Sequence, residues 1–115
     1  MDTVTPAISH ALVSERDFER AVIQLAKLHG WLVHVERPAQ TNKGWRTPIQ
    51  GDSGWVDLIL VRERVLFREL KTDRGRVTPQ QQEWLERLQA AGADAGIWRP
   101  SDWPDIERTL LWIVM

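Results

Sequence analysis

From residue 14 onward the apolar positions fall into a short series of patterns. Phe18, Val22, Leu25 and Leu28 recur at helical spacing, Ser14 stands where an N-cap belongs with Asp17 as its capping-box partner, and Gly30 occupies the left-handed C′ position. A helix is therefore predicted over about 15–29. Trp31–Glu36 reads as a strand. Segment 37–54 contains Pro38, Gly44, Pro48, Gly51 and Gly54 and reads mostly as loop, of a length that is uncommon in a small domain and often functional. Two short β-branched and apolar runs, Trp55–Val61 and Val65–Lys71, flank Arg62-Glu63-Arg64 and indicate a hairpin. Thr78-Pro79 opens a second helix as N-cap and N1 proline, Trp84, Leu85 and Leu88 give its stripe, and Gly92 ends it. Ala95–Arg99 is a further strand and Ser101–Leu110 a further helix, with Ile106 and Leu110 facing inward. The apolar tail Leu111–Met115 is expected to pack on the core or on a partner chain. The order α-β-β-β-α-β-α predicts an α/β domain over 14–115, a mixed sheet flanked by helices, behind a flexible N-terminal arm over 1–13.

The alternation of a strand puts Glu69 and Lys71 on one face with Val65 and Phe67, and Asp57 on one face with Ile59 and Val61. Opposed residues of an antiparallel pair have a constant index sum. A three-residue turn at 62–64 sets that sum so that Asp57 stands opposite Glu69, with Cβ atoms roughly 5 Å apart. Two carboxylates and an ammonium then gather at one end of an apolar face, a pattern that a plain charge-paired hairpin end also explains. Like charges that close call for a cation between them, and Mg²⁺ is typically held by one or two carboxylates, water and substrate phosphate. Glu15 extends the buried stripe of the first helix, or merely complements its dipole, and Glu19 is the rival carboxylate one turn on. Gln81 puts an amide on the inward side of the second helix, or closes a capping box with Thr78.

Bulk composition narrows the chemistry. The 115 residues fit one domain, with 43% hydrophobic and 27% charged residues. Cysteine is absent, which removes disulfides, thiolate catalysis and cysteine zinc sites, and suits a reducing cytoplasm. With three histidines a zinc site has little to build on, and His34 on its strand reads first as a core residue. There is no membrane-length apolar run, no secretory pattern at the N-terminus and no nucleotide-binding glycine motif. A net charge of −1 argues against a strongly basic scavenger of nucleic acid. Local charge differs: Arg62, Arg64, Arg68, Lys71, Arg74 and Arg76 outnumber Glu63, Glu69 and Asp73, the excess that phosphate contacts need. A solvated hairpin tip and loop explains this basic segment equally well.

Three blocks resemble the VRR-NUC family of the PD-(D/E)xK nuclease superfamily: Gly54-Trp-Val-Asp57-Leu-Ile-Leu-Val, Phe67-Arg-Glu69-Leu-Lys71-Thr and Gly75-Arg-Val-Thr-Pro-Gln-Gln81-Gln-Glu-Trp84. Ser14-Glu15, Gly30-Trp31, His34, Ala91-Gly92 and Trp98-Arg-Pro-Ser-Asp-Trp103 add further matches, so the likeness covers roughly 14–110. The resemblance implies a restriction-endonuclease-like core in which Asp57, Glu69 and the Leu70 backbone carbonyl bind Mg²⁺ or Mn²⁺. It also implies that Lys71 assists hydrolysis, that Glu15 is the helix carboxylate and Gln81 the motif glutamine, and it makes His34, Lys43 and Arg46 of the long loop and the basic segment 62–76, with Arg74 and Arg76, the expected DNA contacts. Stand-alone members of this type, from phages and bacteria, are associated with homodimeric cleavage of branched DNA, including four-way (Holliday) junctions. A nicking or end-processing nuclease directed by a partner protein is the enzymatic alternative. Val56 replaces the motif proline, a backbone constraint that binds no metal, which keeps a catalytically impaired DNA-binding dimer as the other alternative.

Overall fold

The first helix forms where its stripe and caps place it. α1 (Glu15–Leu28) buries Phe18, Val22 and Ala26. Ser14 Oγ accepts the Asp17 N–H at 3.0 Å. The reciprocal half of the box is missing: the Asp17 carboxylate lies 3.8 Å from Arg20 instead, being a methylene shorter than the Glu or Gln that reaches back. At the other end Gly30, with φ +85°, lets Trp31 N–H reach the Ala26 carbonyl and its own N–H reach Lys27. The computed structural model describes residues 13–36, 39–41, 44–46 and 50–112, with 39–41 and 44–46 as backbone only. The arm expected over 1–13 lies outside the described residues except for Val13, as do Lys43 and the end of the tail, 113–115.

Four strands make the main sheet, in the order β1-β4-β5-β6. β1 (Leu32–Val35) pairs antiparallel with β4 (Leu58–Val61), β4 antiparallel with β5 (Val65–Leu70), and β5 parallel with β6 (Asp94–Trp98). Between β1 and β4, β2 (Ala39–Thr41) and β3 (Gly44–Arg46) pair as a separate antiparallel ribbon. The sequence reading had loop here, because three-residue strands carry too few side chains for alternation to show. α2 (Pro79–Ala90) and α3 (Trp103–Leu111) complete the α/β domain, with a 3-10 turn at Pro100–Asp102 where a longer last helix was expected.

The two faces of the sheet do different work. Leu58, Leu60, Leu66, Leu70 and Trp98 meet α1 and the α3 residues Trp103, Ile106 and Leu110 in one buried cluster. The alternate residues face the other way. There Phe67 meets Trp55 edge to face at 5.9 Å, and Trp55 meets Trp84 of α2 at 4.7 Å. α2 thus covers the face that carries Glu69. Leu111 and Trp112 are exposed, so of the two fates expected of the tail, packing on the core does not hold for them.

Arg62 in the β4–β5 turn ties the far end of the domain together. Its guanidinium donates to the carbonyls of His29 at 2.9 Å, of Leu110 at 3.1 Å and of Trp112, closing the C-termini of α1 and α3, and stacks 4.6 Å over Trp31. Arg62→Ala strands several helix-end carbonyls at once. It is expected to lower the unfolding free energy by about 2 kcal/mol or more in urea titration, whereas exposed Arg74→Ala stays within about 0.5 kcal/mol.

Candidate active site

Asp57 sits where β4 and β5 stop pairing. The hairpin register holds the expected index sum, with Val61 opposite Val65 and Leu58 opposite Arg68, which puts Asp57 in line with Glu69. Arg62 N–H bonds to the Arg64 carbonyl, so hydrogen-bonded pairs alternate from there and the next beyond Leu58–Arg68 would be Val56–Leu70. That pair does not bond. Leu70 N–H donates instead to Asp57 Oδ2 at 3.0 Å, and the ladder opens. This is why the strand expected from Trp55 begins only at Leu58. N–H and C=O of one strand residue point to the same side, so the Leu70 carbonyl also faces the gap beside Asp57.

Two further groups converge on Glu69, which is 1% exposed. Gln81 Nε2 donates to Glu69 Oε2 at 2.8 Å, and Lys71 Nζ lies 3.4 Å from the same oxygen. The other oxygen, Oε1, is buried with no hydrogen-bond partner. Gln81 also completes the capping box, its Oε1 accepting Thr78 N–H at 3.0 Å while Thr78 Oγ1 accepts Gln81 N–H at 3.1 Å. The two readings of Gln81 are therefore both realised in one amide: its oxygen is taken by the cap, so its NH₂ must face Glu69. Burial first, then the neighbouring Asp57 carboxylate, push the Glu69 pKa up to about 8 from an ordinary 4.5, with Lys71 opposing.

Glu15 behaves differently from the sequence expectation. It is exposed, not buried on the α1 stripe, while Glu19 is half-buried. Partial burial of the Glu15 carboxyl, then the Asp57 charge, raise its pKa, Lys71 opposing and Glu19 adding slightly. On so open a residue this shift carries little energy. Among the described residues no three His, Cys, Asp or Glu side chains form a metal cage by themselves. The residues present nevertheless fit a hard divalent ion held by two carboxylates and a carbonyl. Glu69 Oε1 lacks a donor, Asp57 has none to offer, and only a proton or a cation can join the two. His34 is exposed too, 3.6 Å from Glu36, so its expected core role does not hold; it shares the sheet face of Ile59.

The family model of the VRR-NUC domain matches residues 16–102, most of the chain. The chain belongs to the VRR-NUC family. This is a family of PD-(D/E)xK-type nucleases, whose substrate is DNA and which usually work with divalent metals. Asp57, Glu69, Lys71 and Gln81 lie inside the matched span, and Glu15 lies one residue before it. No curated protein and no solved structure matched the chain.

Half of the basic segment of this VRR-NUC domain turns out to serve the fold. Besides Arg62, Arg64 donates to the Thr109 carbonyl at 3.1 Å. Arg68 is buried, donates to the Asp94 carboxylate and carbonyl at 2.8 Å each, and stacks 4.8 Å over Trp98. Burial lowers the Arg68 pKa and Asp94 opposes that shift. Arg74 and Arg76 remain as exposed cations beside the site, Lys43 lies outside the described residues, and of Arg46 only the backbone is described. A groove of about 550 Å³ runs along α2 past Asp52, Trp84 and Arg87 and contains none of the candidate residues. The sequence placed Gly54 in the loop and in the first family block but not against α2: its φ of +96° and approach to Gln80 leave no room for a Cβ, which would stand 2.5 Å from the Gln80 carbonyl carbon. A glycine before a strand was the available signal.

The raised pKa of Glu69 has a stability consequence. Its folded pKa lies above its unfolded one, so without metal the contribution is fully present below about pH 4.5 and is lost as pH rises through about 8. In chelator the melting temperature is expected to fall across that range, and Glu69→Gln should flatten the fall and melt higher than wild type at about pH 9. Parallel curves for the two proteins would contradict the placement of Glu69.

Proposed function

We propose that this VRR-NUC domain is a Mg²⁺- or Mn²⁺-dependent DNA endonuclease that selects branched DNA and acts as a homodimer. One observation carries the reading: Asp57 and Glu69 converge where the ladder opens, one buried carboxylate oxygen lacks a partner, and Lys71 stands at the other. A divalent ion held there supplies charge stabilisation for the scissile phosphate and acidifies a water. The chain's own groups do the rest. Gln81 holds Oε2 of Glu69 and so presents Oε1 to the gap. Lys71 directs an ammonium at charge developing on the phosphate. Val56 is 1% exposed and sits in the core, and Asp57 still reaches Leu70 N–H without the motif proline, which supports an active site over an impaired one.

The substrate and assembly rest on other features. Arg74 and Arg76, exposed on the loop after β5, suit phosphate contacts, which position a duplex and carry no sequence code. Symmetric cutting of a junction needs two sites, which a two-fold dimer provides, and the exposed Leu28, Leu32, Leu111 and Trp112 are apolar surface of the kind that a dimer covers.

Labelled four-way junctions, flaps, nicked and linear duplexes are the test panel. Metal-dependent cutting is expected, strongest on the junction, with Lys71→Ala slower by at least about 100-fold and its circular dichroism unchanged. Arg74→Ala and Arg76→Ala should each weaken binding alike on all substrates and lower the salt slope by about 1. Equal cutting by wild type and Lys71→Ala would overturn the reading, and cutting that needs an added protein would favour a partner-directed nuclease.

A further inference from the structure

We infer that Arg99 is a positioning residue whose guanidinium clasps the turn following Lys71 and so holds the ammonium over Glu69. This rests on the nuclease reading above. β5 and β6 run parallel, with Leu70 beside Trp98, and Lys71 N–H bonds to the Trp98 carbonyl at 3.1 Å. The ladder ends there. Beyond it, the chain after Lys71 has no strand to hold it, and the residue after Trp98 takes over.

Arg99 Nη1 donates to the carbonyls of Thr72 at 2.6 Å and Gly75 at 2.8 Å and lies 3.4 Å from that of Asp73. Ser101 N–H adds a second tie, to Asp73 Oδ1 at 3.0 Å. The turn is closed on itself by Gly75 N–H to the Thr72 carbonyl at 3.1 Å. Arg99 is itself anchored: its N–H bonds to Asp102 Oδ2 and its carbonyl to Asp102 N–H, each at 2.8 Å. A cation that reaches three carbonyls in four residues is more than a solvated surface arginine requires. None of these bonds touches Asp57 or Glu69, which are held by Leu70 N–H and by Gln81. Arg99 therefore acts first on Lys71 and on the rate, and leaves Asp57 and Glu69 on their own hydrogen bonds.

Full-length Arg99→Met tests this. Its kcat on DNA is expected to fall about 10- to 100-fold. Its Mn²⁺ affinity should match wild type, and millimolar guanidinium should restore part of the lost rate. Independently of catalysis, trypsin should cut after Arg74 about tenfold faster, since the opened turn is cleaved from its unclasped population, while cutting after Arg108 is unchanged. Unchanged kcat and unchanged cleavage after Arg74 would overturn the proposal. So would a loss of rate accompanied by weaker Mn²⁺ binding and faster cleavage at every site, which marks general destabilisation. If the wild type cuts no DNA, the nuclease reading fails and takes the catalytic half of this proposal with it, while selective cleavage after Arg74 still reports the clasp.

Discussion

Two carboxylates are brought together at the one place where the central hairpin stops pairing, and the rest of the site follows from that conflict. Two like charges about 5 Å apart at an effective dielectric near 20 would repel by about 3 kcal/mol. Glu69 cannot escape into water, being buried, and Asp57 cannot swing away without releasing Leu70 N–H. The molecule answers with partial remedies: Lys71 beside one oxygen of Glu69, Gln81 on the same oxygen, and a carboxyl whose pKa sits far above its ordinary value. What remains unanswered is the second oxygen. In the proposed reading a divalent cation answers it.

The surrounding architecture serves to keep that conflict in place. One face of the sheet is an ordinary apolar core against α1 and α3, and it fixes β4 and β5 irrespective of what the site does. The other face carries the candidate site residues, and α2 is drawn onto it by Trp55 and Trp84 and by the close approach of Gly54 to Gln80. The same helix start that needs Gln81 for its cap then delivers the amide to Glu69. The cap and the contact with Glu69 share a side chain here, so the two readings of Gln81 are not alternatives.

How much of this was legible in the sequence depends on how local the determinant is. The register that faces Asp57 with Glu69 was readable because a tight three-residue turn leaves little freedom in a hairpin, and the alternation of Glu69 and Lys71 needs only strand geometry. The caps at Ser14, Thr78 and Gly30 were readable for the same reason. Arginine direction was not. Arg62, Arg64 and Arg68 look like a phosphate-binding run, yet each is spent on carbonyls or on Asp94, partners 26 or more positions away in the chain. The exposure of Glu15 and His34 and the clasp of Arg99 likewise depend on where distant elements come to rest, whereas the β2–β3 ribbon is local but too short for alternation to show.

The central claim is that Asp57 and Glu69 share one divalent ion, and calorimetric titration of Mn²⁺ into wild type and Asp57→Asn tests it most directly. One saturable site in the wild type, lost or weakened at least about tenfold in the variant, is the result expected of a two-carboxylate site. Equal binding by both proteins, or no binding by the wild type, would contradict it.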